Sequence, residues 1–283
     1  MPKLSLVVCL HNERDLLQRL LQNSGGCYDD LVVVHDGPDE QNIKAIVEAA
    51  GGRFFARPRA FQQEPHFPFA WQQAAYDWIL KLDADEFPSD EMRKWLENFR
   101  AAPEPPQDLS GYTFIWPLWN GKKIISKKIW DGRLALFNRE SVRFIGHPEQ
   151  GPMPDGRTER TGRVLVHQPI RKSYGFHNIL VRKQAYRWRE TIAKSLLGKP
   201  TDLPCWRWTD EHWPPDWEQV RAHPLQTAFR RLVMETFRGL RVQWRAEKRF
   251  YFAAALQGPV HHALFCLKFL QVRRQSQKNE DQS

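Results

Sequence analysis

No glycine-rich phosphate cradle opens this chain. The first apolar run, "LSLVVCL" at 4–10, leads into "HNERD" rather than GxGxxG, and GxxxxGK[ST] occurs nowhere. These absences argue against a dinucleotide-binding Rossmann enzyme and against a P-loop NTPase. Cysteine is sparse. Cys9, Cys27, Cys205 and Cys266 show no CxxC spacing, which argues against a structural zinc site and a disulfide scaffold and favours reduced thiols in a cytosolic setting. No stretch reaches the roughly 18 apolar residues of a transmembrane helix, and 4–10 is too short for a signal-peptide core. The expectation is a cytoplasmic protein, or one peripheral on the inner face of the cell membrane. Signatures of a nucleic-acid reader are also missing, so no nucleic-acid partner is expected despite a net charge of +9.

The 283 residues, 41% hydrophobic and 27% charged, are enough for one large α/β domain or a domain with an appendage. "LSLVVCL" and "DLVVVHD" (30–36) are short apolar runs of the kind buried on both faces of a parallel sheet. Between them Leu16, Leu17, Leu20 and Leu21 keep helical spacing, with Asn12 as the expected N-cap. A helix over 39–52, a strand at 53–58 and a helix over 69–78 complete a βαβαβ pattern, which implies right-handed crossovers and a mostly parallel sheet. Ser89 is placed to cap a helix running to Phe99. Strand-like pieces follow at 111–116, 122–128, 133–139, 142–146 and 162–168. From about 171 the periodicity is helical. The expected division is a catalytic α/β domain over 1–170 and a helical, basic extension over 171–283.

Three polar clusters fall at the carboxyl ends of expected strands: "HNE" (11–13), "HDG" (35–37) and "DADE" (83–86). In open α/β sheets that edge is where ligands bind. "DADE" poses a question, because three acids close an apolar run, "WILKL", where repulsion and desolvation both oppose them. A divalent cation would make them tolerable, and Mg²⁺ or Mn²⁺ with oxygen ligands would also neutralise a bound phosphate. Simpler roles stand beside these: helix capping for the "DADE" acids, and a turn for Asp36 in "HDGPD".

In order and spacing, "LSLVVCLHNE", "DLVVVHDGPDE" and "DWILKLDADEF" resemble the signature stretches of family-2 glycosyltransferases with the GT-A fold. "WDGRLALFNRESVRFIGHPEQG" and "GRVLVHQP" are similar to the lipopolysaccharide-core glucosyltransferase-like branch. The resemblance implies a GT-A-like α/β fold and an inverting transfer from a nucleotide-sugar donor, with a UDP-sugar as first expectation, to a saccharide or glycolipid acceptor. It also implies Mn²⁺ or Mg²⁺ as cofactor. It places Cys9, Leu10, Asn12, Glu13, Asp36, Asp83 and Ala84 around the donor nucleotide, with Asp36 toward the base and Asp83 toward the ribose. Asp85 and His167 become metal ligands, and Glu149 the base that deprotonates the acceptor hydroxyl, with Asp131 as the substitute. The chain departs from the family pattern at His35, where an aspartate is usual, at Pro148, which splits a His-Glu pair, and at Ala135, where arginine is common.

The C-terminal quarter is the basic part: residues 218–283 hold twelve Lys/Arg against five Asp/Glu, a net +7 of the +9. Phe229, Leu232, Val233, Phe237, Leu240 and Trp244 share one helical face there. That face either packs on the α/β domain or meets an anionic membrane surface. "CWRWTDEHWPPDW" (205–217) offers tryptophans for stacking on sugars, for a membrane interface or for packing on the sheet. Two rivals from other classes are a sugar-phosphate nucleotidyltransferase, which usually carries a glycine-rich N-terminal loop, and a non-catalytic basic nucleic-acid-binding protein.

Overall fold

The structure is a computed structural model that describes residues 1–128, 132–144, 151–169, 174–175, 183–201 and 215–280. The chain divides into two compact units, Met1–Ser173 and Tyr174–Ser283.

The first unit is α/β. Its elements run β1 (Leu4–Leu10), α1 (Arg14–Ser24), β2 (Asp30–Asp36), α2 (Ile43–Ala49), β3 (Arg53–Arg57), α3 (Phe67–Gln73), β4 (Trp78–Lys81), β5 (Glu86–Pro88) and α4 (Asp90–Ala101). There follow β6 (Leu109–Ile115), β7 (Leu118–Trp119), β8 (Ile124–Ser126), β9 (Arg133–Asn138), β10 (Val142–Arg143), β11 (Met153–Pro154) and β12 (Arg157–His167). Eight strands form one sheet in the order β3-β2-β1-β4-β9-β6-β12-β5, while β7 pairs β8 and β10 pairs β11. The pairs among β3, β2, β1 and β4 are parallel, as is β12 with β6; β9 runs antiparallel to both its neighbours and β5 to β12.

The apolar runs become central strands because both their faces are covered. All seven residues of β1 are buried. Its alternate side chains enter different cores: Leu4, Leu6, Val8 and Leu10 pack with Leu17 and Leu20, while Val7 and Cys9 pack with Val34, Phe67 and Trp71. Ser89 does cap its helix, its Oγ accepting from Met92 N at 3.2 Å.

Several boundaries differ from the sequence reading. Asn12 is not the N-cap of α1. It sits in the left-handed region at φ 50°, and the helix starts one residue beyond Glu13. The helix expected over 39–52 occupies Ile43–Ala49, because the Asp39 carboxylate accepts from Ile43 N (2.8 Å) and Lys44 N (2.9 Å) and so fixes its start. The helix expected over 69–78 ends at Gln73, where Ala74 turns extended and the chain enters β4. The strand expected over 122–128 shortens to Ile124–Ser126, while that over 162–168 lengthens to Arg157–His167.

The second unit contains α5 (Lys183–Leu196), α6 (Pro215–Ala222), α7 (Pro224–Glu247) and α8 (Phe252–Glu280) among the described residues. Ile192, Leu196, Trp217, Val220, Phe265 and Phe269 form its core. α7 and α8 make a hairpin closed by Gln243, whose Oε1 accepts from Tyr251 N (2.7 Å) and whose Nε2 donates to Tyr251 O (3.3 Å). Gly239 faces Ala255 where the two helices meet; a Cβ there would lie 3.4 Å from Ala255 Cβ, at the edge of ordinary contact.

Candidate active site

β1 lies between β2 and β4, so the segments after Leu10, Asp36 and Lys81 emerge side by side at the carboxyl edge of the sheet, where the strand order reverses. After β4 the chain folds into a tight turn. Glu86 N donates to Asp83 O (2.9 Å), and the Glu86 carboxylate in turn accepts from Asp83 N (2.9 Å). The turn is fastened to the end of β12 by Gln168 N donating to Asp85 O (2.9 Å).

The three acids of this turn have different surroundings. Asp83 is held by Lys81 Nζ at 2.7 Å and Arg133 Nη2 at 2.6 Å. Burial works to raise its carboxyl, but the charges of Lys81 and Arg133 prevail and hold it well below the usual carboxylate range. Glu86 is fully buried, and Arg133 Nε approaches its Oε1 at 2.6 Å as an ion contact without hydrogen-bond alignment. Burial lifts the Glu86 carboxyl above its ordinary value against the pull of Arg133, and Asp83 adds to the rise. Asp85 is the third. Among the described residues it has no Lys or Arg partner, and its Oδ2 faces His167 Nε2 at 3.5 Å.

The sequence reading of this stretch needs a correction. A divalent cation was expected to make all three acids tolerable, yet two protein cations, Lys81 and Arg133, neutralise Asp83 and Glu86. Asp85, with no Lys or Arg ion pair among the described residues, could hold a metal. The Asp85–His167 pair suits one: two cis ligands at about 2.1 Å from a shared cation stand about 3 Å apart, close to the 3.5 Å found. Trp116 stacks on the His167 ring at 4.2 Å and 20°. Among the described residues no cluster of three or more His, Cys, Asp or Glu surrounds a metal position. A cation at Asp85 and His167 would therefore complete its shell with substrate oxygens and water, as Mg²⁺ commonly does.

Asp36 ends β2 in a tight cage. Its Oδ1 accepts from Ala60 N (2.5 Å) and His66 Nε2 (2.9 Å), and its Oδ2 from Arg59 Nη1 (2.6 Å). Burial would raise this carboxyl, but the His66 and Ala60 hydrogen bonds and the charge of Arg59 keep it below its ordinary value. Gly37 turns the chain away at φ +100°. His35 orders the neighbouring loop: its Nε2 accepts from Asn12 N (3.2 Å) and its Nδ1 donates to Gly37 O (2.9 Å), which selects the Nδ1–H tautomer.

Asp83, Ala84, Asp85 and His167 are thus brought together. Cys9 joins them through Gln63, whose amide, oriented to satisfy both groups, donates to Cys9 O (3.2 Å) and Asp83 Oδ1 (2.7 Å). Cys9, Leu10 and Ala84 are buried, backbone included, and so lie beneath the surface of the site. Asn12 Nδ2 donates to Glu40 Oε2 (3.1 Å), and Glu13 O starts α1 by accepting from Leu17 N (2.9 Å). Asp36 stands two strands from Asp83, about 10 Å away at ordinary strand spacing. Glu149 and Asp131 lie outside the described residues. Sequence reasoning missed Lys81, Arg133, Trp116 and Gln63. Lys81 carried a signal, because a lysine inside an apolar strand is seldom buried unless paired.

The family model of glycosyl transferase family 2 matches residues 5–146, half of the chain. The chain belongs to glycosyl transferase family 2. Among solved structures, the mannosyltransferase PcManGT from Pyrobaculum calidifontis in complex with GDP-Man and Mn²⁺ is 14% identical, with 95% of this chain and 85% of that chain covered and a TM-score of 0.47. TarS 1-349 of S. aureus is 12% identical, with 95% and 91% covered and a TM-score of 0.39. The assignment rests on the family match. This glycosyltransferase carries the family's matched region from β1 through Arg143 and on to residue 146.

Proposed function

We propose that this glycosyltransferase moves a sugar from a nucleoside-diphosphate sugar to a hydroxyl of a saccharide or glycolipid, in a single inverting displacement. The donor lies across the carboxyl edge of β1, β2 and β4. The observation that carries this reading is the division of the "DADE" acids: Asp83 and Glu86 are neutralised within the protein, while Asp85 faces His167 with no Lys or Arg partner among the described residues. In this reading Asp85 and His167 hold Mn²⁺ or Mg²⁺. When bound, the cation supplies neutralisation of the diphosphate charge that grows as the sugar departs.

The protein's own groups do the rest. Lys81 and Arg133 fix Asp83 as a carboxylate, an acceptor suited to ribose hydroxyls. Asp36, caged by Arg59 and His66, shapes the base end, and the backbone of Cys9–Glu13 forms the floor. Glu149 takes the acceptor proton, with Asp131 as the substitute. Residues 1–170 carry this chemistry, and residues 171–283 serve acceptor or surface contacts. The acceptor class is of the lipopolysaccharide type, on the similarity of "WDGRLALFNRESVRFIGHPEQG".

The test is a donor panel with Mn²⁺ or Mg²⁺, opening with UDP-sugars and including GDP-sugars, read as released nucleoside diphosphate and as anomeric configuration of the product. Release of nucleoside diphosphate with an inverted product supports the reading. Pyrophosphate release from a nucleoside triphosphate and a sugar phosphate, with no transfer from any nucleotide sugar, would establish the nucleotidyltransferase instead.

A further inference from the structure

We propose that the outer face of α7 and the tip of the α7–α8 hairpin dock on an anionic lipid bilayer. The apolar stripe of α7 does not pack into the core of its own unit. Phe229 is 72% exposed, Phe237 69% and Trp244 49%. With Val233 and Leu240 between them, these residues fall within about 80° of the helix circumference at 3.6 residues per turn. Exposed aromatic side chains so aligned mark an interaction surface.

The stripe continues into the hairpin tip. Trp244 stacks on Phe250 at 5.4 Å and 17°, and Phe250 lies 5.6 Å from Phe252. Phe250 and Phe252 are both exposed. Two cations stand among these rings: Lys248 Nζ lies 5.7 Å from the Trp244 ring, and Arg249 lies over Tyr251 at 5.9 Å. Tryptophan and phenylalanine beside lysine and arginine match the chemistry of a headgroup boundary, where the rings enter the acyl edge and the cations meet lipid phosphates.

Charge selects the partner. Arg230, Arg238, Arg241 and Arg245 line the flank next to the stripe and make no ion pair with any described residue. The helix's acids are occupied elsewhere: Glu235 pairs with Arg231 at 3.6 Å, and Glu247 accepts from Tyr251 Oη at 3.2 Å. The free charge of this face is therefore positive, which suits an anionic surface. A second copy of the chain docked through the same face would bring arginine against arginine. Bases of a single-stranded nucleic acid could stack on the exposed rings of this face, but they would leave the exposed aliphatic Leu225 and Leu232 beside them uncovered, which an acyl boundary buries. No described helix is long and apolar enough to cross a membrane, so the contact is with the bilayer surface.

Flotation of the full chain with vesicles tests this, independently of any transfer activity. The protein should float with phosphatidylcholine–phosphatidylglycerol vesicles at low salt, stay down with phosphatidylcholine alone, and be released by high salt. Each arginine removed should weaken partition about five-fold, so Arg241→Gln with Arg245→Gln should cost about 25-fold. Phe237→Asp should abolish flotation while leaving the far-ultraviolet circular dichroism unchanged, because its side chain is outside the core. Three results overturn the proposal: wild-type protein that stays at the bottom of the gradient with anionic vesicles at low salt, a dimer in sedimentation equilibrium that Phe237→Asp dissolves without any vesicle binding, or oligonucleotide binding that competes vesicles away.

Discussion

Arg133→Met tests how the site's acids are held. Arg133 is the shared partner of Asp83 and Glu86, and its guanidinium also lies 5.0 Å from the Trp116 ring. Methionine keeps much of the side-chain volume and removes the charge. Glu86, fully buried, would then be left with an uncompensated carboxylate. Breaking a buried pair from one side costs about 3–5 kcal/mol. The Arg133 side chain is 23% exposed, so the lower end applies, about 3 kcal/mol, or a fall in Tm of roughly 6–12 °C for a unit of this size. The loss should depend on pH. Without Arg133, the Glu86 carboxyl rises further above its unfolded value, so its penalty is absent below the unfolded pKa, near 4.3, and grows as pH rises. Asp83 acts in the same direction: its depressed carboxyl stabilises the wild type above about pH 4 and loses that contribution on acidification. The gap between wild type and variant should therefore be full at pH 7, lose its Glu86 part by about pH 4, and lose its Asp83 part only at more acid pH, as that depressed carboxyl is protonated. Adding Glu86→Gln should restore most of the loss, because a neutral amide needs no cation. Thermal and urea unfolding followed by circular dichroism measure all of this. An Arg133→Met protein with unchanged Tm, or with a deficit independent of pH, would refute the reasoning.

Asp36→Asn should cost about 2 kcal/mol at pH 7, since the carboxylate accepts from Arg59, His66 and Ala60 N. Its folded pKa is depressed, so the difference should shrink as pH falls below about 4, as urea unfolding across pH would show. Glu149→Gln should lower turnover by about 10²–10⁴ with nucleotide-sugar affinity retained; if Asp131→Asn carries that loss instead, the proton goes to Asp131.

The strands were legible where their physics is local. "LSLVVCL" and "DLVVVHD" are seven-residue apolar-rich runs, short for a helix and rich in β-branched residues, which favours strands covered on both faces. The Ser89 cap was legible too, because capping needs only Ser89 and the Met92 amide. What escaped was long-range. The partner of Asp83 and Glu86 is Arg133, some fifty residues on, brought alongside because β9 inserts antiparallel between β4 and β6. Spacing in the chain carries no trace of that insertion. The cage of Asp36 was hidden likewise, since Arg59 and His66 sit in "RPRAFQQEPH", a stretch without periodicity. Asn12 was misread for a related reason: its left-handed backbone serves a bond to His35 on the neighbouring strand rather than the first turn of α1.

Titration calorimetry of UDP and GDP into the protein, in Mn²⁺ and again in EDTA, tests the central claim most directly. If Asp85 and His167 hold the cation against a donor diphosphate, binding appears only with the metal, is lost in Asp85→Ala, and is weakened in His167→Ala. Equal affinity in EDTA, or an Asp85→Ala protein that binds nucleotide and metal as the wild type does, would contradict it.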